Sequence, residues 1–151
     1  MGFSDFFKKK ENKIMTEDLI KLGVQVSNKE EAVKIAGDLL YKNGYVEEDY
    51  LEAMQEREKD VSTFMGNGVA IPHGTNKAKK YIKKTGLSFV QIPEGVDFGD
   101  GNTAYIVIGI AGKGDEHLQI LQNLATILQD EQKTEALTKT DDKKIVLEKL
   151  L

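Results

Sequence analysis

The chain has no cysteine, so disulfides, thiolate metal sites and cysteine nucleophiles are excluded together. Only two histidines occur, His73 and His117, and no His-Glu-x-x-His spacing. A zinc site would have to be completed by carboxylates, so no metal and no cofactor are expected, and a metal-dependent hydrolase is a poor reading. No apolar run approaches the roughly 20 residues that cross a bilayer, so no direct membrane insertion is expected. A basic excess is missing too. The net charge is -4, which argues against a nucleic-acid partner. In Met1 to Lys10 the basic residues follow the apolar ones, opposite to a secretory signal. The setting reads as cytoplasmic. Arginine is scarcer still: of 21 basic residues all but Arg57 are lysine. A planar guanidinium grips phosphate or carboxylate with two parallel bonds, which an ammonium cannot do.

What is present is an ordinary balance for one domain: 151 residues, 40% hydrophobic and 30% charged. Residues 1-13 read as a flexible leader and 14-151 as the domain. Ser27-Asn28-Lys29-Glu30 is a capping pattern opening a helix with an apolar stripe of Ala32, Val33, Ala36, Leu39 and Leu40, stopped by Gly44. A second helix is predicted over 47–59, with Tyr50, Leu51 and Met54 inward, Arg57 on the same side, and Glu56 and Glu58 projecting elsewhere. Residues 69–71, 87–92 and 103–111 read as strands, with Pro93-Glu94-Gly95 as a turn. Residues 77–84 form a lysine-rich, solvated helix face. Asp115 is the expected N-cap of a helix whose apolar face is Leu118, Leu121, Leu124, Ala125 and Leu128, with His117 in its first turn facing the core. Helices over 131–137 and 141–151 close the chain. Alternating strands and helices predict an α/β fold: one mixed β-sheet flanked by helices in a single domain.

Pro72 and Gly74 bracket His73, so a fixed torsion precedes the imidazole and an open approach follows it. Imidazole nitrogen is a competent nucleophile towards phosphorus and a good enough leaving group for the transfer to reverse. An arginine and a helix N-terminus, where His117 sits, would steady phosphoryl oxygens. Taken one at a time, each residue also fits a structural role: a loop histidine, a helix-end histidine, a chance arginine.

Together they carry a resemblance. Arg57-Glu58, then Ser62-Thr63-Phe64 and Gly66-Asn67-Gly68-Val69-Ala70-Ile71-Pro72-His73-Gly74, resembles the enzyme IIA domains of the mannitol/fructose class of the bacterial phosphoenolpyruvate-dependent sugar phosphotransferase system. Glu116-His117-Leu118-Gln119-Ile120-Leu121 is similar to that family's second histidine motif, and Pro93-Glu94-Gly95-Val96-Asp97-Phe98-Gly99 leans towards its mannitol branch. The resemblance covers roughly residues 14 to 151. It implies a phosphocarrier with a phosphohistidine intermediate: His73 phosphorylated by the carrier protein HPr, Arg57 and His117 flanking it, and a cysteine of an enzyme IIB domain of a membrane permease as the next acceptor. Thr63 and Asn67 are implied as phosphate-supporting, Asn67 standing where some mannitol-type members carry an acidic residue. The alternative it leaves open is a regulatory nitrogen-type IIA phosphoprotein that controls partner proteins.

Overall fold

The first long helix shows how closely the sequence pattern governs the backbone, in a computed structural model that describes residues 14–150. It runs Lys29–Lys42 (α1), and its N-cap is Asn28 rather than Ser27. Extended backbone at Asn28 lets its side chain accept the Glu31 N–H at 2.9 Å, satisfying a donor the helix leaves unpaired. At the other end the Gly44 and Tyr45 N–H groups bond back to the Tyr41 and Leu40 carbonyls, the paired closure typical of a glycine-stopped helix. Ala32, Val33, Ala36 and Leu40 are buried.

The remaining elements follow in order: a 3-10 turn Glu17–Leu19 and strand β1 (Ile20–Lys21) before α1, then α2 (Asp49–Asp60), β2 (Phe64–Gly66), β3 (Val69–Ala70), a 3-10 helix Asn76–Tyr81, β4 (Gly86–Asp97), β5 (Thr103–Ala111), α3 (Glu116–Leu128), α4 (Glu131–Lys139) and α5 (Lys143–Leu150). The expected leader, residues 1-13, lies outside the described residues. The strands form one mixed sheet in the order β1-β4-β5-β3-β2. β4 pairs antiparallel with β5, while β1 on β4 and β3 on β5 pair in parallel. The mixed sheet flanked by helices is the fold the sequence predicts.

Side chains alternate across a strand, so Ser88 and Gln91 of β4 point to opposite faces. Ser88 Oγ donates to the Ala36 carbonyl of α1 at 2.7 Å, whereas Gln91 Nε2 donates to the Leu137 and Thr140 carbonyls at 3.0 and 2.7 Å. Helices therefore cover both faces, and the centre of β4 and β5 is buried on both sides.

Other expectations also need correction. Pro93-Glu94-Gly95 does not end its strand; β4 runs through it as an irregularity in the pairing between Gln91 and Val96, where Gly95 takes φ +79°. The lysine-rich stretch is a 3-10 helix of six residues. The apolar face of α3 is centred on Ile120, Leu124 and Leu128, leaving Leu118 60% exposed. The stripe that includes Leu118 and omits Ile120 is rotated away from the face the helix buries.

Candidate functional site

β3 and β5 are adjacent and parallel, so the loops leaving their carboxyl ends emerge side by side. The crevice beyond such strand ends is the habitual ligand position in open α/β sheets. His73 leaves β3 and His117 opens the helix after β5. Their rings meet with centroids 5.0 Å apart and planes at 63°.

The His73 loop is zipped onto the end of β5. The Ile110 N–H donates to the Pro72 carbonyl at 2.9 Å, and His73 makes a parallel bridge with Ile110. Tyr50 of α2 clamps the same place. Its hydroxyl donates to the Ile110 carbonyl at 2.8 Å and accepts the Gly74 N–H at 2.9 Å. Its ring lies so close that a Cβ on residue 74 would meet Cε1 at 2.5 Å, which only glycine avoids. Gly112 does the same at the other histidine, because a Cβ there would meet the His117 Cα at 2.4 Å.

His73 Nδ1 lies 2.9 Å from the Ile71 carbonyl oxygen. A carbonyl only accepts, so Nδ1 carries the proton and Nε2 keeps its lone pair. Burial lowers the His73 pKa from its ordinary value; the bond to Ile71 works the other way, Arg57 adds to the lowering and Glu58 opposes it. His117 is pushed down to about 4, by burial first and then by His73, Lys79 and Arg57. Both imidazoles are neutral near pH 7, the state in which one nitrogen can attack an electrophile.

Arg57 reaches this field from α2, and its Nη1 donates to the Val61 carbonyl at 2.6 Å. The other guanidinium donors remain for an anion. His73 and His117 meet directly, and Arg57 is near enough to act electrostatically on both. Thr63 and Asn67 are otherwise engaged. The Thr63 hydroxyl donates its single proton to Glu58 Oε1 at 2.6 Å. Asn67 Nδ2 donates to the Leu128 carbonyl at 2.8 Å, tying the β2–β3 turn to the end of α3.

Sequence reasoning misses two residues. Glu58 does not project away but is 4% exposed. Tyr50 is more than core. The pairing of a tyrosine with the glycine after His73 has no signature in sequence, since the two lie on different elements.

The family model described as "Phosphoenolpyruvate-dependent sugar phosphotransferase system, EIIA 2" matches residues 13–151. The chain belongs to this family. It is similar to the mannitol-specific phosphotransferase enzyme IIA component of Bacillus subtilis (strain 168), 55% identical over 124 residues, 82% of this chain and 87% of that one. It is also similar to the mannitol-specific EIICBA component of Escherichia coli (strain K12), 46% identical and covering 87% of this chain but 21% of that longer one. Among solved structures, the complex of the mannitol enzyme IIA with phosphorylated enzyme IIB from Escherichia coli matches with a TM-score of 0.86 at 43% identity, covering 90% of this chain and 96% of that one.

Proposed function

We propose that this chain is a cytoplasmic phosphocarrier of a mannitol-type phosphotransferase system, accepting a phosphoryl group from HPr on His73 Nε2 and donating it to a cysteine of an enzyme IIB domain. The observation that carries the reading is the fixed tautomer of His73: Nδ1–H is committed to the Ile71 carbonyl 2.9 Å away, leaving Nε2 as the nucleophile. Domain 14-151 is the unit we assign to this work.

The step balances without a cofactor. The Nε2 lone pair attacks the phosphorus carried by HPr; the P–N bond to HPr breaks as the new one forms, and the departing imidazole keeps the electron pair. A thiolate of the IIB domain then attacks the same phosphorus, and His73 leaves with its pair restored. The phosphoryl group in flight spreads charge over its equatorial oxygens, which calls for positioned donors. Arg57 supplies charge and orientation. His117, 5.0 Å from His73 between ring centroids, supplies a neutral N–H. Thr63 and Asn67 support the site indirectly, Thr63 through Glu58 and Asn67 through Leu128.

Partner exchange is supported by the surroundings. Val61 and Leu118, which neighbour the site through Arg57 and His117, are 66% and 60% exposed large apolar side chains, as expected where another protein's surface comes and goes. The Escherichia coli relatives include a complex with enzyme IIB and a component named EIICBA. Among the described residues no helix is long and apolar enough to cross a membrane. The nitrogen-type regulatory alternative is weaker, because the 55% identity is to a mannitol-specific component.

The test is incubation with phosphoenolpyruvate, enzyme I and HPr, followed by mapping of the phosphate. Acid-labile phosphate on His73 is expected; acid-stable phosphate on a serine or threonine would sink the reading.

A further inference from the structure

Glu58 is a charged side chain, 4% exposed, that takes no direct role in the transfer itself. Burying a carboxylate carries a desolvation cost, so the bonds that hold it show what it does. Oε2 accepts the Thr63 N–H at 2.8 Å and Oε1 accepts the Thr63 hydroxyl at 2.6 Å. The Thr63 carbonyl accepts the Ile71 N–H at 3.1 Å. The Ile71 carbonyl accepts the His73 Nδ1–H at 2.9 Å. Every donor in this series points towards the carboxylate, from the imidazole through Ile71 and Thr63 to Glu58. The N–H and C=O of one residue belong to different peptide units, so the series acts by fixing positions, and the full negative charge strengthens the bonds at its accepting end.

We propose that Glu58 is a positioning residue for His73, acting through Thr63 and Ile71 to keep the proton on Nδ1 and aim Nε2 at the incoming phosphorus. The claim rests on the reading of His73 as the phosphoryl acceptor. Without the anchor, Thr63 is free to shift, the segment that pairs with Ile71 shifts with it, and the Ile71 carbonyl no longer selects one tautomer. The ring can then present either nitrogen. Its negative charge also opposes the lowering of the His73 pKa by burial and by Arg57.

The experiment compares Glu58→Gln, Thr63→Val and Thr63→Ser with the wild type. Glutamine offers one acceptor where the carboxylate offers two; valine removes the hydroxyl bond but keeps the N–H; serine keeps both. Nitrogen-15 shifts of the His73 ring report the tautomer, and phosphorus-31 spectra after phosphorylation by HPr report which nitrogen is modified. Wild type and Thr63→Ser should hold one tautomer and carry phosphate on Nε2. Glu58→Gln and Thr63→Val should mix tautomers, carry some of the phosphate on Nδ1, and transfer about tenfold more slowly, the usual scale for a lost outer partner of a working histidine. A folded Glu58→Gln protein with the wild-type tautomer and wild-type phosphorylated nitrogen overturns the proposal. Should that variant fail to fold, Thr63→Val decides alone, and unchanged spectra in it overturn the proposal equally. If the wild type takes no phosphate while the tautomers shift as stated, the phosphocarrier reading fails and only the hold of Glu58 on the His73 tautomer stands.

Discussion

The imidazoles of His73 and His117 meet edge to face, 5.0 Å between centroids and 63° between planes. The contact is made by the sheet: each histidine follows one of two adjacent parallel strands, and the register that pairs Val69 with Ile106 and Ala70 with Val107 sets how the two loops approach. Arg57 joins from α2. Two imidazoles and a guanidinium thus converge from three separate stretches of chain.

Arg57→Lys keeps the charge but replaces a fork with a point. Arg57 already spends one Nη1 bond on the Val61 carbonyl, at 2.6 Å. It therefore does two things at once that an ammonium on a flexible stem cannot. Single-turnover transfer from phosphorylated HPr should slow by roughly tenfold to a hundredfold, about 1.4 to 2.7 kcal/mol of transition-state stabilisation. Thermal unfolding is the control. An unchanged rate with a lowered melting temperature would assign Arg57 to the scaffold.

Tyr50→Phe tests the clamp on the His73 loop. The ring would still pack against Gly74, but the Gly74 N–H and the Ile110 carbonyl would each lose a partner. Leaving such buried groups unmatched costs about 1 to 3 kcal/mol. Burial pushes the Tyr50 phenol up to about 12, so its proton stays in place across the working range and the loss should not depend on pH there. Denaturant unfolding should show the drop, and phosphoryl acceptance should slow because Gly74 adjoins His73. Wild-type stability in the variant would remove the clamp from the account.

Acid sensitivity should trace to the histidines. The pKa of His117 is about 4 in the folded protein and about 6.5 when unfolded. Between these values the unfolded chain binds a proton that the native chain refuses. Stability therefore falls as pH falls from about 6.5 towards 4, and is unaffected by this group above about 7. His73 is lowered in the same direction and adds to the effect. Melting temperature followed from about pH 7.5 down to 4.5 should drop less steeply in His117→Gln than in the wild type. Parallel curves would contradict the assignment.

Much of this is legible in the sequence because local chemistry decides it. Gly44 closes α1, the run Thr103–Ala111 is a strand over the predicted span, and Pro72-His73-Gly74 marks the loop that bridges to Ile110 of β5. The misses have two kinds of cause. Some are local signals that point elsewhere than expected. Asn67-Gly68, with φ +51° and +76°, is the two-residue hairpin turn that joins β2 to β3, and Asn-Gly is its strongest short-range signature. Asp115 stands at the start of α3, yet its backbone is already helical and its side chain makes no capping bond. A cap needs extended backbone there. Other misses are beyond any local pattern. Glu58 is followed by a charged run and reads as solvent-facing, but the chain turns back at Val61 and brings Thr63 over it. Tyr50 meets Gly74 only because α2 packs beside the His73 loop.

The most direct test of the account is the identity of the modified atom. Protein phosphorylated by HPr should give one acid-labile phosphohistidine, at Nε2 of His73, and His73→Ala should take no label while losing only about 0.5 to 1.5 kcal/mol, the scale of its bond to Ile71. Phosphorus-31 spectra read the nitrogen, and tryptic mapping reads the residue. Phosphate on His117, on a hydroxyl, or still present in His73→Ala would contradict it.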